Sequence, residues 1–266
     1  MTTRILHLNN DAAAPVGLIS SARFRLVPPG GIRLNADNVT IASGMIDEFV
    51  NMIGGQLYGA TSNQNCATVE AVNGVNVATF DKTLVVAPTG YTMGTFGFGG
   101  LNTGQYTFAA LWKVTDGFLP AKPREIIAQA SLATTSNRAM LREDASGALQ
   151  ARALRTTAGT VTIVSIPDPV RVDGWCAAAA VFDWTNDLVT IHDLLGTESV
   201  SAAILGTSGA APSDISAYRL GYYTNTEDSW FNGKLADYHH LPYVPTASDL
   251  LALRLHMQAR AADLAA

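Results

Sequence analysis

Short runs of β-prone residues, separated by turn-forming residues, fill most of the chain. Gly, Asn, Asp and Pro punctuate these runs at close intervals. This spacing is typical of a sandwich or barrel of antiparallel strands. The pattern therefore predicts an all-β protein whose strands lie within the following runs: ARFRLV, VNVATF, YTFAALWKV, REIIAQAS, GTVTIVSI, AAAVFDW, DLVTIHDLL, AYRLGYY and KLADYHHL.

The clearest local pattern is that of a β-hairpin. The runs AAAVFDW and DLVTIHDLLG are separated by Thr185 and Asn186. In the second run Val189 and Ile191 alternate with polar residues, as a strand with one buried face requires. We therefore predict two adjacent antiparallel strands joined at this turn.

Helical periodicity is convincing only at the C-terminus. Thr246 to Asp249 fits a capping box, and Leu250, Leu253 and Met257 recur on one helix face. The pattern predicts one helix that ends the chain.

The N-terminal part carries two less regular patterns. The segment GMIDEFVNMIGG at 44–55 fits either a short helix or a strand with a turn. Prolines and glycines in VPPGGIRLNAD, 27–37, would break any regular element. We therefore expect an N-terminal arm over residues 1–36, with a role in attachment, and one domain over residues 37–266.

Composition narrows the class of protein. Of the 266 residues 48% are hydrophobic and 15% charged, which suits a large core beneath a polar surface. The net charge of −5 and the scattered arginines give no basis for binding nucleic acid. The longest apolar stretch, at 175–182, is too short for a membrane span, and the N-terminus lacks the apolar core of a signal peptide. We expect a soluble chain that inserts in no membrane and begins near Met1.

Two cysteines, Cys66 and Cys176, lie more than a hundred residues apart without metal-ligand spacing. Two reduced, buried thiols are the favoured interpretation. A disulfide between them stays open for an oxidising compartment.

Taken in order, four parts of the chain resemble the laminin G-like branch of the concanavalin A-like lectin and glucanase superfamily. These parts are AVNGVNVATFDKTLVV at 71–86, YTFAALWKV followed by EIIAQAS at 106–131, DGWCAAAAVFDWTNDLVTIHDLLG at 173–196, and the closing segment from LGYY to LLAL at 220–253. The resemblance covers about residues 40–260. It implies a two-sheet antiparallel jelly roll, which in this family often holds glycans, sometimes with calcium, and which in phages often occurs in virion proteins.

Catalytic patterns are missing from the sequence. The glucanases of the superfamily carry paired acids on one strand face, but no E-x-D-x-E pattern occurs here. Glu227 and Asp228 are adjacent, as are Glu143 and Asp144, so in a strand each pair would point to opposite faces. No G-x-S-x-G nucleophile elbow and no phosphate-binding loop are present. We therefore predict that the protein is not an enzyme.

Metal and cofactor sites are not predicted either. His239 and His240 would point to opposite faces of one strand, which makes joint metal binding difficult. Calcium would need six or more oxygen ligands, and the TNTEDS loop at 224–229 could supply only a few. No cofactor is expected.

Aromatic residues are the remaining signal, because ring faces stack on sugars while nearby amides and carboxylates bind hydroxyls. Trp112 lies in an apolar strand and is assigned to the core, whereas Trp184 at the hairpin turn is predicted to be exposed. A second group surrounds the TNTEDS loop, whose polar residues are turn formers first and glycan ligands second. The candidate glycan site comprises Trp184, Tyr222, Tyr223, Asn225, Asp228 and Trp230.

Two functional hypotheses follow. The first is a noncatalytic structural or adhesion protein of a virion, in a capsid decoration, spike, tail or baseplate. It would assemble as a homo-oligomer with other virion proteins, and could bind a host-surface glycan. The alternative is a free carbohydrate-binding module or a remnant glycanase.

Overall fold

Antiparallel strands make up most of the structure, a computed structural model that describes residues 31–52, 55, 57–59, 67–80, 91–93, 104–115, 124–131, 137–155, 159–206, 212, 215–221 and 231–266. One helix, α1 (Ala247–Ala265), follows the last strand. The strands are β1 (Ile32–Leu34), β2 (Val39–Ala42), β3 (Met45–Val50), β4 (Leu57–Gly59), β5 (Ala67–Val72), β6 (Val75–Phe80), β7 (Tyr91–Met93), β8 (Gln105–Val114), β9 (Arg124–Ser131), β10 (Asn137–Glu143), β11 (Leu149–Ala153), β12 (Thr162–Ile166), β13 (Cys176–Asp183), β14 (Leu188–Asp193), β15 (Ser199–Ala203), β16 (Ile215–Leu220) and β17 (Gly233–Leu241).

Within the described ranges these strands form three sheets. An eight-stranded sheet has the order β15-β14-β13-β8-β17-β6-β5, with β1 paired to β17. A six-stranded sheet has the order β12-β11-β10-β9-β16-β7, and β2, β3 and β4 form a small third sheet. The strand pairs of the described ranges are antiparallel, and one apolar cluster joins the two large sheets. The prediction of an all-β antiparallel sandwich with one C-terminal helix is confirmed.

Alternation along β8 shows how one strand serves two layers. Tyr106, Phe108 and Trp112 point into the core shared with the six-stranded sheet, whereas Ala109 and Leu111 point to the opposite face. Successive side chains of a strand point to opposite faces, so a strand buried on both sides must be apolar throughout. Trp112 is fully buried, as predicted.

Helix α1 covers the outer face of the eight-stranded sheet over its central strands. Thr246 and Asp249 form the predicted capping box. Buried side chains of the helix pack on small residues of β8 and β13, which allow close approach. The helix contributes Leu253, Met257, Ala261 and Leu264, and the sheet contributes Ala109, Leu111, Ala177, Ala179 and Ala236. In the described part of the chain no helix is long and apolar enough to cross a membrane.

The predicted hairpin is confirmed with a longer turn. Strand β13 pairs with β14, and residues 184–187 connect them. Val189 and Ile191 are fully buried, as their alternation predicted. Asp183 holds the turn by accepting hydrogen bonds from the backbone N–H of Asn186 at 3.0 Å and its amide at 2.7 Å.

Two expectations about the N-terminal part are now decided. The predicted arm over residues 1–36 is too long, because Ile32 and Leu34 are fully buried in the core and pair with His240 and Tyr238 of β17. The proline-glycine break ends before this strand, and residues 1–30 lie outside the described residues. The segment 44–55 contains strand β3, which settles its ambiguity in favour of a strand.

Cys176 is a free, buried thiol. Burial raises its pKa, and the nearby Glu143 carboxylate adds to this effect although Arg171 opposes it. Cys66 lies outside the described residues. Cys176 is thus a buried free thiol, and the reduced state of Cys66 stays a prediction.

Candidate functional site

Of the six residues in the predicted glycan site, Trp184 alone is among the described residues. Tyr222, Tyr223, Asn225, Asp228 and Trp230 lie outside the described residues, and their role stays a prediction.

Trp184 is not exposed, which corrects the prediction that it lies open at the hairpin turn. It is fully buried, and its Nε1 donates a hydrogen bond to the Tyr106 hydroxyl at 2.9 Å. The guanidinium of Arg155 lies 5.5 Å from the ring centroid, and the Phe182 ring stacks nearby at 6.2 Å. The hairpin folds its turn inward, so this indole cannot stack on a sugar.

The outer face of the six-stranded sheet carries polar side chains. Helix α1 packs on the outer face of the eight-stranded sheet, whereas no helix among the described residues packs on this one. In β11, Leu149 and Ala151 face the core, so Gln150 and Arg152 point outward. In β12, Val164 and Ile166 face the core in the same way. Outward positions therefore alternate with core positions along both strands.

Four residues define what we call the arginine face: Glu125, Arg142, Gln150 and Arg152. Cross-strand pairing places Glu125 of β9 and Gln150 of β11 on either side of Arg142 in β10. Arg152 lies two residues beyond Gln150 and pairs with Ile163 of β12. These side chains thus form one continuous patch across three strands, β9, β10 and β11.

A β-bulge in β9 gives Glu125 its outward direction. Ile126 and Ile127 both belong to the sandwich core, and the pairing of β9 with β10 shifts by one residue at this point. A bulge of this kind redirects the neighbouring side chain. Glu125 consequently lies beside Arg142 instead of entering the apolar core.

Exposure increases across the arginine face. Met140, which precedes Arg142 by two residues, is 0% exposed, and Glu125 is 1% exposed. Arg142, Gln150 and Arg152 are half-buried, and Ile163 is 44% exposed. The accessible part of the patch therefore lies over β10, β11 and β12, with Glu125 beneath its edge.

Hydrogen bonds hold the patch in a defined arrangement. Arg142 Nε donates to Gln150 Oε1 at 2.8 Å, and Gln150 Nε2 donates to Asp144 Oδ2 at 2.9 Å. Asp144 is itself fixed in the β10–β11 turn, where its Oδ1 accepts from the backbone N–H groups of Ser146 and Ala148. This turn joins β10 to β11.

Glu125 is the unusual group of the arginine face. Burial raises the pKa of its carboxyl well above the ordinary value, and the charges of Arg142 and Arg152 only partly oppose the rise. Within the described residues, its Oε2 is buried without a hydrogen-bond partner. Buried polar atoms without a hydrogen-bond partner are rare in folded proteins.

A second polar cluster lies beneath α1, where β1, β17 and the helix meet. Asp237 Oδ2 lies 3.2 Å from Arg33 Nη2 and 2.5 Å from His256 Nε2, and Asp237 Oδ1 lies 3.2 Å from His239 Nε2. We call these four buried residues the clasp cluster. Burial alone would raise the pKa of Asp237, but Arg33, His239 and His256 together hold that pKa well below its usual value.

The sequence signals for this cluster were present but incomplete. His239 and His240 do point to opposite faces: His239 contacts the His256 ring, whereas His240 packs against Phe108 in the sandwich core. A bulge beside Leu235 shifts the register of β17 against β8, and Asp237 and His239 share the face beneath the helix. The adjacent histidines are visible in the sequence as a pair, but the signal that leads to this cluster is the Asp-x-His spacing of Asp237 and His239.

Asp237, His239 and His256 offer three ligand atoms within 4.8 Å of one another, which is compact enough for a metal ion. Arg33 makes metal binding unfavourable here, because its Nη2 lies 3.3 Å from His256 Nε2 and also contacts Asp237 Oδ2. A metal cation would lie beside a buried guanidinium. The geometry favours a buried ion-pair network, which ties β1 and β17 to α1.

Comparisons with known proteins address the fold. No protein-family model matches the chain. No curated protein sequence matches it either. Among solved structures, a Trypanosoma rangeli sialidase in complex with a difluoro-KDN is similar, with a TM-score of 0.58 and 12% identity over 88% of this chain and 34% of that one. A second is the Ruminococcus gnavus IT-sialidase CBM40 bound to alpha2,3 sialyllactose, with a TM-score of 0.50 and 14% identity over 63% of this chain and 93% of that one.

These similarities bear on architecture alone, since the identities are low. The chain spans about a third of the length of the trypanosomal sialidase. The likeness shows a β-sandwich fold, and membership of the concanavalin A-like, jelly-roll class stays a prediction. The laminin G-like branch within that class stays a prediction.

Proposed function

We propose that this protein is a noncatalytic carbohydrate-binding module whose ligand lies on the outer face of the six-stranded sheet. The observation that carries the proposal is the arginine face itself. It gathers two guanidinium groups and one amide on an accessible sheet surface, where core packing does not require them, with the buried Glu125 carboxyl beneath its edge.

The chemistry of the arginine face suits a polyhydroxylated ligand. Arginine donates hydrogen bonds only, the Gln150 amide both donates and accepts, and a carboxyl oxygen accepts from a hydroxyl. Ile163 adds an apolar surface beside Arg152 for the C–H face of a sugar ring. Groups held by existing hydrogen bonds lose little freedom on binding, which favours affinity.

The arrangement does not support glycoside hydrolysis. A retaining or inverting enzyme needs two carboxyl groups facing the scissile bond, about 5–9.5 Å apart. The arginine face holds one, Glu125, while the carboxylate of Asp144 already accepts hydrogen bonds from the turn and from Gln150. Binding without cleavage is the function that these residues support best.

The solved structures add support of a more general kind. One similar structure is a CBM40 bound to alpha2,3 sialyllactose, and this chain covers 93% of its length. Another is a Trypanosoma rangeli sialidase in complex with sialic acid. A glycan-binding role of the chain therefore agrees with the ligands of these two similar structures. The predicted place in a virion stays a prediction.

The test is a binding screen of the full chain against an array of defined neutral and acidic oligosaccharides, followed by calorimetry on each ligand found. We expect binding of at least one oligosaccharide, with the ligand recovered intact by mass spectrometry after prolonged incubation. Cleavage of the ligand would refute the noncatalytic assignment, and absence of binding across the array would refute the module.

A matched pair of variants locates the site. Gln150→Ala removes the amide that bridges Arg142 and Asp144, and should weaken binding by about tenfold. Gln258→Ala removes a comparable half-buried amide on α1, which bonds the Leu195 carbonyl, and should leave affinity unchanged. Equal effects of the two variants would contradict the proposed surface.

A further inference from the structure

We infer that the glycan bound on the arginine face carries a carboxylate, as uronic and sialic acid residues do, and that Arg142 and Arg152 bind this group together. The inference rests on the proposed function and goes beyond it by naming the chemical class of the ligand.

Charge is the first step. The protein carries a formal net charge of −5, yet two arginines stand within one small patch of the outer sheet face. Electrostatic complementarity between a local cationic patch and its partner favours an anionic ligand. A neutral sugar would be served as well by Asn, Gln or Ser at these positions.

Spacing is the second step. Arg142 pairs directly with Gln150, and Arg152 lies two residues further along the same strand, so the two arginines are diagonal neighbours on one face. Diagonal positions lie about 7–8 Å apart, within reach of long side chains. Two guanidinium groups from such positions can therefore converge on the two oxygens of a single carboxylate. The planar fork of arginine matches that geometry and a lysine ammonium does not.

Orientation is the third step. Arg142 is held by its Nε hydrogen bond to Gln150, so its direction is set before a ligand arrives. Arg152 is half-buried, and among the described residues it makes no hydrogen bond. One guanidinium is thus preorganised, while the other is available to close on the ligand.

Glu125 completes the argument, because an ionised carboxylate at this point would repel an acidic sugar. Burial raises the pKa of its carboxyl and so favours the neutral form, which does not repel an acidic sugar. Glu125 is 1% exposed and lies beneath the edge of the patch, so the contacts to the ligand come from the arginines.

The experiment uses pairs of oligosaccharides that differ only in the acidic group. Calorimetry on the full chain compares 3′-sialyllactose with lactose, and cellobiouronate with cellobiose. We expect one acidic member to bind about tenfold or more tightly than its neutral partner, a difference typical of a charged hydrogen bond. The two pairs distinguish a sialic acid ligand from a uronic acid ligand.

Variants tie the preference to the two arginines. Arg152→Gln and Arg142→Gln should each lower affinity for the acidic sugar about tenfold while changing affinity for the neutral sugar less than twofold. Arg152→Lys keeps the charge, and should restore only part of the affinity because the bidentate contact is lost. Arg260→Gln, on the far side of the sandwich where Arg260 pairs with Asp37, is the control and should change nothing.

Three results separate the outcomes. Equal binding of acidic and neutral partners would overturn the inference while leaving the proposed function intact. A preference for acidic sugars that persists in both arginine variants would overturn the assignment of Arg142 and Arg152. If no sugar of either kind binds, the proposed function fails and takes the inference with it. Thermal melting of each variant excludes misfolding, and Arg152→Lys remains informative if the glutamine variants are unstable.

Discussion

Replacing Asp237 by Asn should destabilise the fold strongly, because Asp237 holds the clasp cluster together. The substitution keeps the size of the side chain but removes the charge that faces Arg33 at 3.2 Å. Both side chains are buried, at 0% and 8% exposure, so the guanidinium would remain in the interior without its counter-charge. Breaking a buried ion pair in this way costs about 3–5 kcal/mol. We expect the free energy of unfolding of Asp237→Asn to fall by that amount.

The measurement is urea denaturation at pH 7, followed by tryptophan fluorescence. Asp37→Asn is the matched control, since it removes a partly exposed partner of Arg260 and should cost about 0–1 kcal/mol. The double variant Arg33→Met with Asp237→Leu removes both charges, and should be more stable than Asp237→Asn alone. A loss of less than about 1 kcal/mol in Asp237→Asn, or a double variant no more stable than the single one, would refute the reasoning.

Four further outcomes are expected. The pKa of His240 is about 3 and that of His256 about 4, both lowered mainly by burial from 6.5, so the unfolded chain takes up protons first as pH falls. The free energy of unfolding should therefore be highest above pH 6.5 and decline towards pH 4 by up to about 2.7 kcal/mol per pH unit. The decline should be less steep in His240→Phe, and denaturation at several pH values measures both slopes. Trp184→Ala should cost about 3–5 kcal/mol by calorimetric melting while leaving the sugar affinity of the folded protein unchanged; an unchanged melting temperature would mean that the ring is exposed. Thr246→Ala should cost about 1 kcal/mol by loss of the helix cap, and an equal loss in Ser248→Ala would argue against capping. The chain should co-sediment with virus particles from its native source at fixed stoichiometry on a density gradient if it is a virion protein, and recovery only in the soluble fraction would exclude that prediction.

Elements whose signals are local could be predicted from the sequence. The β13–β14 hairpin was readable because alternation and a turn lie within twenty residues, and the capping box at Thr246 lies beside the apolar face that it starts. In both cases the residues that decide the structure are neighbours in the chain. Their local preferences agree with the fold, which is the condition for reliable prediction.

Elements that depend on distant partners were missed. Strand β1 has three residues and gains its stability from pairing with β17, more than two hundred positions away. Nothing near Ile32 shows that this partner exists, and the adjacent prolines and glycines suggest an irregular arm. The predicted exposure of Trp184 was wrong for a similar reason, since its burial depends on Tyr106 and Arg155 from other parts of the chain.

The arginine face shows why a binding surface is harder to predict than a fold. Glu125, Arg142, Gln150 and Arg152 come from three strands and form no sequence motif. Their common direction depends on the register of those strands and on the bulge at Ile126. The aromatic residues drew attention because sugars stack on rings, but register, which decides which side chains share a face, is not visible in a single sequence.

The most direct measurement of the central claim is two-dimensional NMR of the arginine Nε–Hε groups in the full chain, with and without the oligosaccharide that binds most tightly. We expect the resonances of Arg142 and Arg152 to shift on titration, while those of Arg33 and Arg260 stay in place. Unchanged resonances of Arg142 and Arg152, together with a shift of the Trp230 indole, would contradict it and would place the ligand at the loop that the aromatic residues first indicated.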